Sequence, residues 1–324
     1  MKTRPIDSCG LLMLAGISFV TPAFAAVNIN LVYVGNPNVN DSRTGFGGVT
    51  GAYQIMQYEV TNSQFAEFLN AVATTDPNGL FNVAMGTDAR GGITRSGESG
   101  SYTYAVKANM ADKPVNYVSF HDAARFANWL HNLQPTGLQT NTTTEDGAYQ
   151  ITGPSVIRNG TATVWIPTEN EWYKAAYYNG AGANYSLYPT QSDTAPTMAT
   201  VGLAGDISNP GANVANYFRG ADWNGEDGNV TTVGTAGAAS YYGTFDQGGN
   251  VAEWNEDPDG LARRVRGGSF EEPDYTLYAG TSFNVIELEE YDHLGFRLAV
   301  PEPTSPVLAL LAAGGLPLMR RKRV

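Results

Sequence analysis

The clearest pattern in the chain is a set of three short stretches in which apolar residues recur every three or four positions. Thr61-Asn62-Ser63-Gln64 precedes Phe65, Phe68, Leu69 and Val72. Ser119-Phe120-His121-Asp122 precedes Ala123, Ala124, Phe126, Ala127 and Leu130, with Trp129 widening the arc. Thr168-Glu169-Asn170-Glu171 precedes Trp172, Ala175 and Ala176, with Pro167 just before it. A hydroxyl residue followed three places later by Glu or Gln is a capping box, and an acid in the first turn suits the positive end of the helix dipole. The spacing therefore predicts helices over 61–73, over 119–132 and from 168 onward. Runs rich in β-branched and aromatic residues predict short strands at 32–34, 53–58, 163–166, 264–267 and 295–300. Between these elements the polar stretches are long and rich in glycine (37 in all), which points to ordered loops on a modest scaffold. No fixed-period repeat and no clear linker divides the chain. The expectation is one loop-rich α+β domain with mixed or antiparallel pairing.

The two ends break this pattern. Residues 1–25 carry Lys2 and Arg4, an apolar run from Leu11 to Val20, and Ala23-Phe24-Ala25. A basic start, an apolar middle and a small-x-small exit are what signal peptidase accepts, so cleavage is expected after Ala25. Residues 301–324 hold Pro301-Glu302-Pro303, a nearly apolar stretch from Thr304 to Met319, and Arg320-Arg321-Lys322-Arg323. Interrupted by Pro306, Gly314-Gly315 and Pro317, that stretch is a marginal transmembrane segment, and the basic cluster holds its end on the cytoplasmic side. Residues 26–300 form the body between these signals.

Charge narrows the choice of partner. The chain has 19 Lys plus Arg against 31 Asp plus Glu, a net charge of −12. Losing both ends leaves 13 basic and 29 acidic residues, a body at −16. Phosphate backbones repel such a surface, so nucleic-acid binding is not expected. The single thiol, Cys9, lies in the leader, which leaves the body with no disulfide, cysteine nucleophile or thiolate metal site.

Six blocks then occur in order: Tyr58-Glu59-Val60-Thr61-Asn62, Pro114-Val115-Asn116-Tyr117-Val118-Ser119, Ile166-Pro167-Thr168-Glu169-Asn170-Glu171-Trp172, Gly249-Asn250-Val251-Ala252-Glu253-Trp254, Arg266-Gly267-Gly268-Ser269-Phe270 and Leu294-Gly295-Phe296-Arg297-Leu298-Ala299. Together they resemble the formylglycine-generating enzyme, or sulfatase-modifying factor, family. The tail, in order and spacing, resembles the PEP-CTERM sorting signal, whose Pro-Glu-Pro triplet marks a chain for an exosortase.

The resemblance implies a loop-rich variant of the C-type lectin-like fold. It also implies an oxidoreductase whose two cysteines bind copper and convert a substrate cysteine to formylglycine. Here those positions fall on Glu272 and Leu277, neither of which offers the soft sulfur that copper(I) prefers, so copper and the family's oxidation are not expected. Ser269 matches a position near the family's active centre and stands as a site-lining candidate. The family's calcium ligands align with Asp246, the carbonyls of Gly249 and Val251, and Glu253. A second set aligns with Asn216, the Tyr217 carbonyl, Asp227 and the Asn229 carbonyl. Calcium takes six to eight hard oxygens in flexible geometry, which acidic, glycine-rich turns supply.

Other constellations carry less. Asp292-His293 reads as an acid–base dyad or a solvated turn. Glu271-Glu272 and Glu287 with Glu289-Glu290 are paired acids whose separation the sequence does not set. His121 and His131 are poorly spaced for joint ligation. Two functions remain. One is an exported, calcium-stabilised surface or extracellular binding or structural module, with signal peptidase and exosortase as processing partners, a transient membrane anchor, and a protein or glycan ligand in the Gram-negative envelope or matrix. The other is a metal-dependent oxidoreductase with non-cysteine ligands such as Glu272.

Overall fold

The structure is a computed structural model, and it describes residues 26–180, 184–237 and 239–302. The expected leader, Pro303 and the apolar and basic parts of the tail lie outside the described residues. Within them no helix is long and apolar enough to cross a membrane.

The three helices arise as their sequences require. Helix α1 (Asn62–Val72) is capped by Thr61, whose side chain accepts from the Gln64 backbone while Gln64 answers the Thr61 N–H. The short α2 spans Ala84–Thr87. Ser119 and Asp122 close the same box on α3 (Phe120–His131), and Thr168 and Glu171 on α4 (Glu169–Tyr177). Each box satisfies two N–H groups that would otherwise lack a partner.

The strands are short and belong to several small sheets. β1 (Leu31–Val34), β2 (Tyr53–Met56) and β13 (Ala299–Pro301) form one sheet in that order, both pairs antiparallel. β13 carries the first residue of the Pro-Glu-Pro triplet, with Pro301 opposite Tyr53. A second sheet orders β11 (Phe283–Ile286), β10 (Ala262–Arg266), β9 (Ala252–Asp259) and β12 (Leu294–Gly295). Two hairpins, β3 (Ile93–Ser96) with β4 (Thr103–Val106) and β5 (Tyr149–Thr152) with β6 (Ser155–Arg158), stand apart, as does the parallel pair β7 (Thr197–Met198) and β8 (Val214–Ala215).

Two expected strands differ. The 163–166 run is a single bridge, Trp165 with Ala299, because the chain enters Pro167 and the α4 cap immediately afterwards. The 295–300 run divides into β12 and β13. Between them the Phe296 and Leu298 carbonyls serve the Val60 and Met56 N–H groups, and the Arg297 side chain is wholly buried. The hairpins and β11 were not foreseen, since their partly exposed four-residue strands have too little alternation to register, nor was β9, whose eight residues Ala252–Asp259 run from four buried positions to exposed ones without alternating.

The main core lies between α1, α3 and the second sheet. Phe65 stacks on Phe126 at 5.9 Å, Phe126 meets Phe296 edge-on at 5.6 Å, and Phe120 meets Trp254 at 6.1 Å. A smaller aromatic cluster, including Trp172, Tyr173 and Tyr177, packs under α4. The body is one α+β domain with its site built on the loops between these cores.

Thr168→Ala removes the α4 cap without touching a core contact. It should lower unfolding free energy by about 1 kcal/mol, read by urea denaturation; no change would mean that the box contributes nothing.

Candidate functional site

The loops converge on a buried ion pair. Arg297, with no exposed surface, directs Nε at Glu253 Oε2 and Nη2 at Glu253 Oε1, both at 2.7 Å. Its other donors reach the carbonyls of Met56, Gln57 and Phe245 at 3.1, 3.2 and 2.8 Å. Glu253 also accepts from Trp172 Nε1 at 2.8 Å, tying β9 to α4. A second pair, Arg266 with Glu169, joins β10 to the first turn of α4 at 2.6 Å, and its Nη1 binds the carbonyls of Ala279 and Thr281. A bidentate guanidinium in a dry interior is strong only when its remaining donors are satisfied; Arg297 meets that condition through carbonyls, whereas the buried Nη2 of Arg266 makes its ion pair with Glu169 and no hydrogen bond.

Between these pairs run the turn at 246–251 and the segment 266–277. Gly249 has φ +84°, and a β-carbon there would come within 2.1 Å of the Asn216 carbonyl oxygen. Gly268 has φ +64°, and its β-carbon would fall 2.2 Å from Thr276 Oγ1. The glycines thus permit the close approach of three chain segments. Asn250 links them: its Oδ1 accepts from the Thr231 N–H at 2.8 Å and from Asn216 Nδ2 at 3.2 Å, and its Nδ2 donates to Glu59 Oε1 at 3.2 Å.

The candidate residues fall as follows. Ser269 is fully buried and its hydroxyl accepts from the Glu271 N–H at 3.3 Å, so it ties a turn together. Glu272 is half-buried, and its Oε2 is shielded from solvent with no hydrogen-bond partner. Leu277 is fully buried in an apolar cluster with Tyr188, Ala215 and Tyr217. In the Asp246 set, Glu253 is engaged by Arg297, while Asp246 is half-buried, lines a small cavity and accepts from the Gly234 N–H at 2.5 Å. Burial pushes the Asp246 carboxyl up to about 6. In the Asn216 set, Asn216 Nδ2 meets the Asn229 carbonyl at 2.9 Å and leaves its own Oδ1 without a partner. The Tyr217 carbonyl accepts from the Gly220 N–H, and exposed Asp227 pairs with Arg219 at 3.4 Å.

Sequence order concealed a polar group beside Glu272. Glu271, Asp292 and His293 bring ligand-type atoms within 4.8 Å of one another. His293 Nδ1 lies 3.1 Å from Asp292 Oδ1 and 3.9 Å from Glu271 Oε2, and its ring stacks on Tyr291 at 5.3 Å. Burial opposes charge on His293, but the Asp292 hydrogen bond and neighbouring carboxylates hold its pKa above the usual value. Arg90 pairs with Asp292 at 3.4 Å, and Arg219 pairs with Glu271. The other sequence candidates are elsewhere. Glu287 pairs with Arg263 at 2.8 Å and with His121 at 3.3 Å, Glu290 hydrogen-bonds Asn82, and His131 faces Thr163. Glu59 and Arg297 were not picked out as site residues, although both stand in the quoted blocks. The signal available was a charged residue set directly against core positions, as in Glu59-Val60 and Phe296-Arg297-Leu298.

Residues 48–301 match the family described as "Sulfatase-modifying factor enzyme 1-like domain". The chain belongs to this family. No curated protein matches it. Among solved structures, "Crystal Structure of CarF" is 19% identical with a TM-score of 0.51, covering 85% of this chain and 99% of that one. "Treponema denticola variable protein 1" is likewise 19% identical at 0.51, covering 87% and 100%. "Structure of PvdO from Pseudomonas aeruginosa" is 18% identical at 0.44, covering 86% and 93%. At these identities the first two establish the fold alone, the sulfatase-modifying-factor variant of the C-type lectin-like fold.

A separate open cleft of about 630 Å³ lies beside β6, β9 and β10 and is lined by Arg158, Glu256 and Arg263. Burial raises the Glu256 carboxyl to about 7. A carboxyl whose folded pKa lies above its unfolded value costs stability once pH exceeds the folded value, and the cost vanishes as pH falls toward the unfolded one. Glu256→Gln should therefore raise the melting temperature relative to wild type at pH 8, and the gain should disappear by pH 5. Equal shifts at both pH values would refute the raised pKa. Arg297→Met should cost on the order of 3–5 kcal/mol, read by denaturant unfolding, because it leaves Glu253 charged and unpaired in the interior.

Proposed function

We propose that this family member does not oxidise thiols but serves as an exported binding or structural module of the Gram-negative envelope or extracellular matrix, stabilised by calcium. The observation that carries this reading is Leu277. At the position the sequence motifs assign to the family's second thiol stands a side chain with no exposed surface, packed among Tyr188, Ala215 and Tyr217. The first position is Glu272, and the chain's single cysteine is Cys9. A carboxylate and a sealed leucine do not fit copper(I), so no oxidation step is assigned here.

Calcium fits better, because hard oxygens without partners remain at both turn sets. Asn216 Oδ1 is orphaned in one, and near the other Glu59 Oε2 is orphaned, both Glu59 and Asp246 being tied to the segment 231–234. The side chains of Asp246, Asn216 and Asp227 and the carbonyls of Gly249, Val251, Tyr217 and Asn229 would hold the ions, which would tie long loops together. Processing by signal peptidase and exosortase completes the reading, with cleavage after Ala25 and sorting through Pro301-Glu302-Pro303.

The ligand class that suits the surface is a glycan. Phe218, Tyr275 and Tyr291 are exposed; the Phe218 N–H donates to the Glu272 carbonyl at 2.9 Å, Tyr291 stacks on His293 beside Glu271, and Tyr275 follows three residues after Glu272. Aromatic faces beside carboxylates and Arg219 can stack on sugar rings while accepting from hydroxyls. The purified protein should bind members of a panel of bacterial exopolysaccharide oligosaccharides, and Tyr275→Ala should weaken that binding at least fivefold with an unchanged melting curve. A sulfatase-derived cysteine peptide should survive incubation with no dioxygen consumed; conversion of its thiol to an aldehyde would sink the proposal.

The second reading, a metal-dependent oxidoreductase, draws on Glu271, Asp292 and His293 with ligand-type atoms within 4.8 Å. Elemental analysis separates the two. Stoichiometric iron or copper that is lost in His293→Ala favours the enzyme, and calcium alone favours the module.

A further inference from the structure

Charge around Arg297 does not balance. Three carboxylates, Glu59, Asp246 and Glu253, are grouped about one guanidinium. Glu253 is nearly saturated: Oε2 receives Arg297 Nε and Trp172 Nε1, and Oε1 receives Arg297 Nη2. Glu59 is not. It has no exposed surface, its Oε1 accepts one 3.2 Å bond from Asn250, and its Oε2 has no donor, the nearest guanidinium nitrogen standing 3.9 Å away. Leaving a buried carboxylate oxygen without a partner is costly, so a second positive charge is wanted at Oε2. Burial, and after it the charge of Asp246, push the Glu59 carboxyl well above the usual carboxylate range in the absence of a cation. Both acids lie against the segment 231–234, where the Gly234 N–H binds Asp246 and Thr231 binds the same Asn250 that touches Glu59. Glu59 lines a cleft of about 440 Å³ with Asp112, Thr232 and Val233, and Asp246 lines a separate small cavity.

We infer that Glu59, rather than Glu253, supplies the second carboxylate to a calcium-type divalent cation held at Asp246. Ligation by Glu253 would compete with its bidentate bonds to Arg297 in the interior, whereas Glu59 has free lone pairs on both oxygens. A mixture of carboxylates, carbonyls and water at flexible geometry suits calcium better than magnesium, which demands a near-ideal octahedron. The inference rests on the calcium reading above and departs from the ligand set implied by the motifs.

The test uses purified protein stripped with a chelator and titrated with calcium chloride by calorimetry, with melting curves in parallel. Wild type should bind calcium and melt higher. Asp246→Asn and Glu59→Gln should each weaken the same equivalent at least tenfold, with Glu59→Gln melting no lower than wild type in the absence of calcium. Glu59→Asp, which keeps the charge, should recover measurable binding, an outcome that a purely structural role for Glu59 does not produce. Glu253→Gln should melt lower without calcium yet keep the equivalent. Wild-type affinity in Glu59→Gln, with binding lost in Asp246→Asn, overturns this inference alone. A wild type that does not respond to calcium overturns the calcium reading with it.

Discussion

The fold depends on a buried guanidinium that no water can reach. Arg297 joins the β2 end, the loop before Asp246 and the start of β9 through three carbonyls and one carboxylate. Regular sheets are too small to hold these segments together, since most strands have four residues or fewer and the ladders are separate. Directional bonds from arginine therefore do what ladder hydrogen bonds do in larger sheets. Arg266 pairs with Glu169 in the first turn of α4 and also binds two carbonyls.

The ion pairs, the three helix caps and the glycines at 249 and 268 set the loop paths, and none of them depends on a thiol. At Leu277 an apolar side chain completes a small cluster, and at Glu272 a carboxylate faces a polar surface that includes Glu271, Asp292 and His293. A scaffold fixed from within leaves the side chains on that surface free to carry recognition. It also leaves a carboxylate oxygen of Glu59 and the amide oxygen of Asn216 buried without a hydrogen-bond partner.

Much of this was legible in order of residues. The capping boxes placed the helix starts to within a residue, because a cap is a local bond between positions three apart. The six blocks disclosed the family. The hairpins were hidden because four partly exposed residues carry too little alternation. The cluster of Glu271, Asp292 and His293 was hidden because its members are about twenty positions apart and meet only when β12 lies beside β9. The run at 295–300 read as one strand, since sequence alone does not show a backbone interrupted by a side chain turned inward.

Composition, local caps and ordered motifs by themselves determined an acidic, thiol-free body, a single α+β domain and its lineage, because each of these is a property of neighbours along the chain. Only the tertiary structure decided that Glu253 is occupied by Arg297, that Glu59 is left with an unmet oxygen, and that Leu277 is sealed. Those facts depend on which donors reach a carboxylate across 44 to 191 positions of sequence, and packing alone settles that competition.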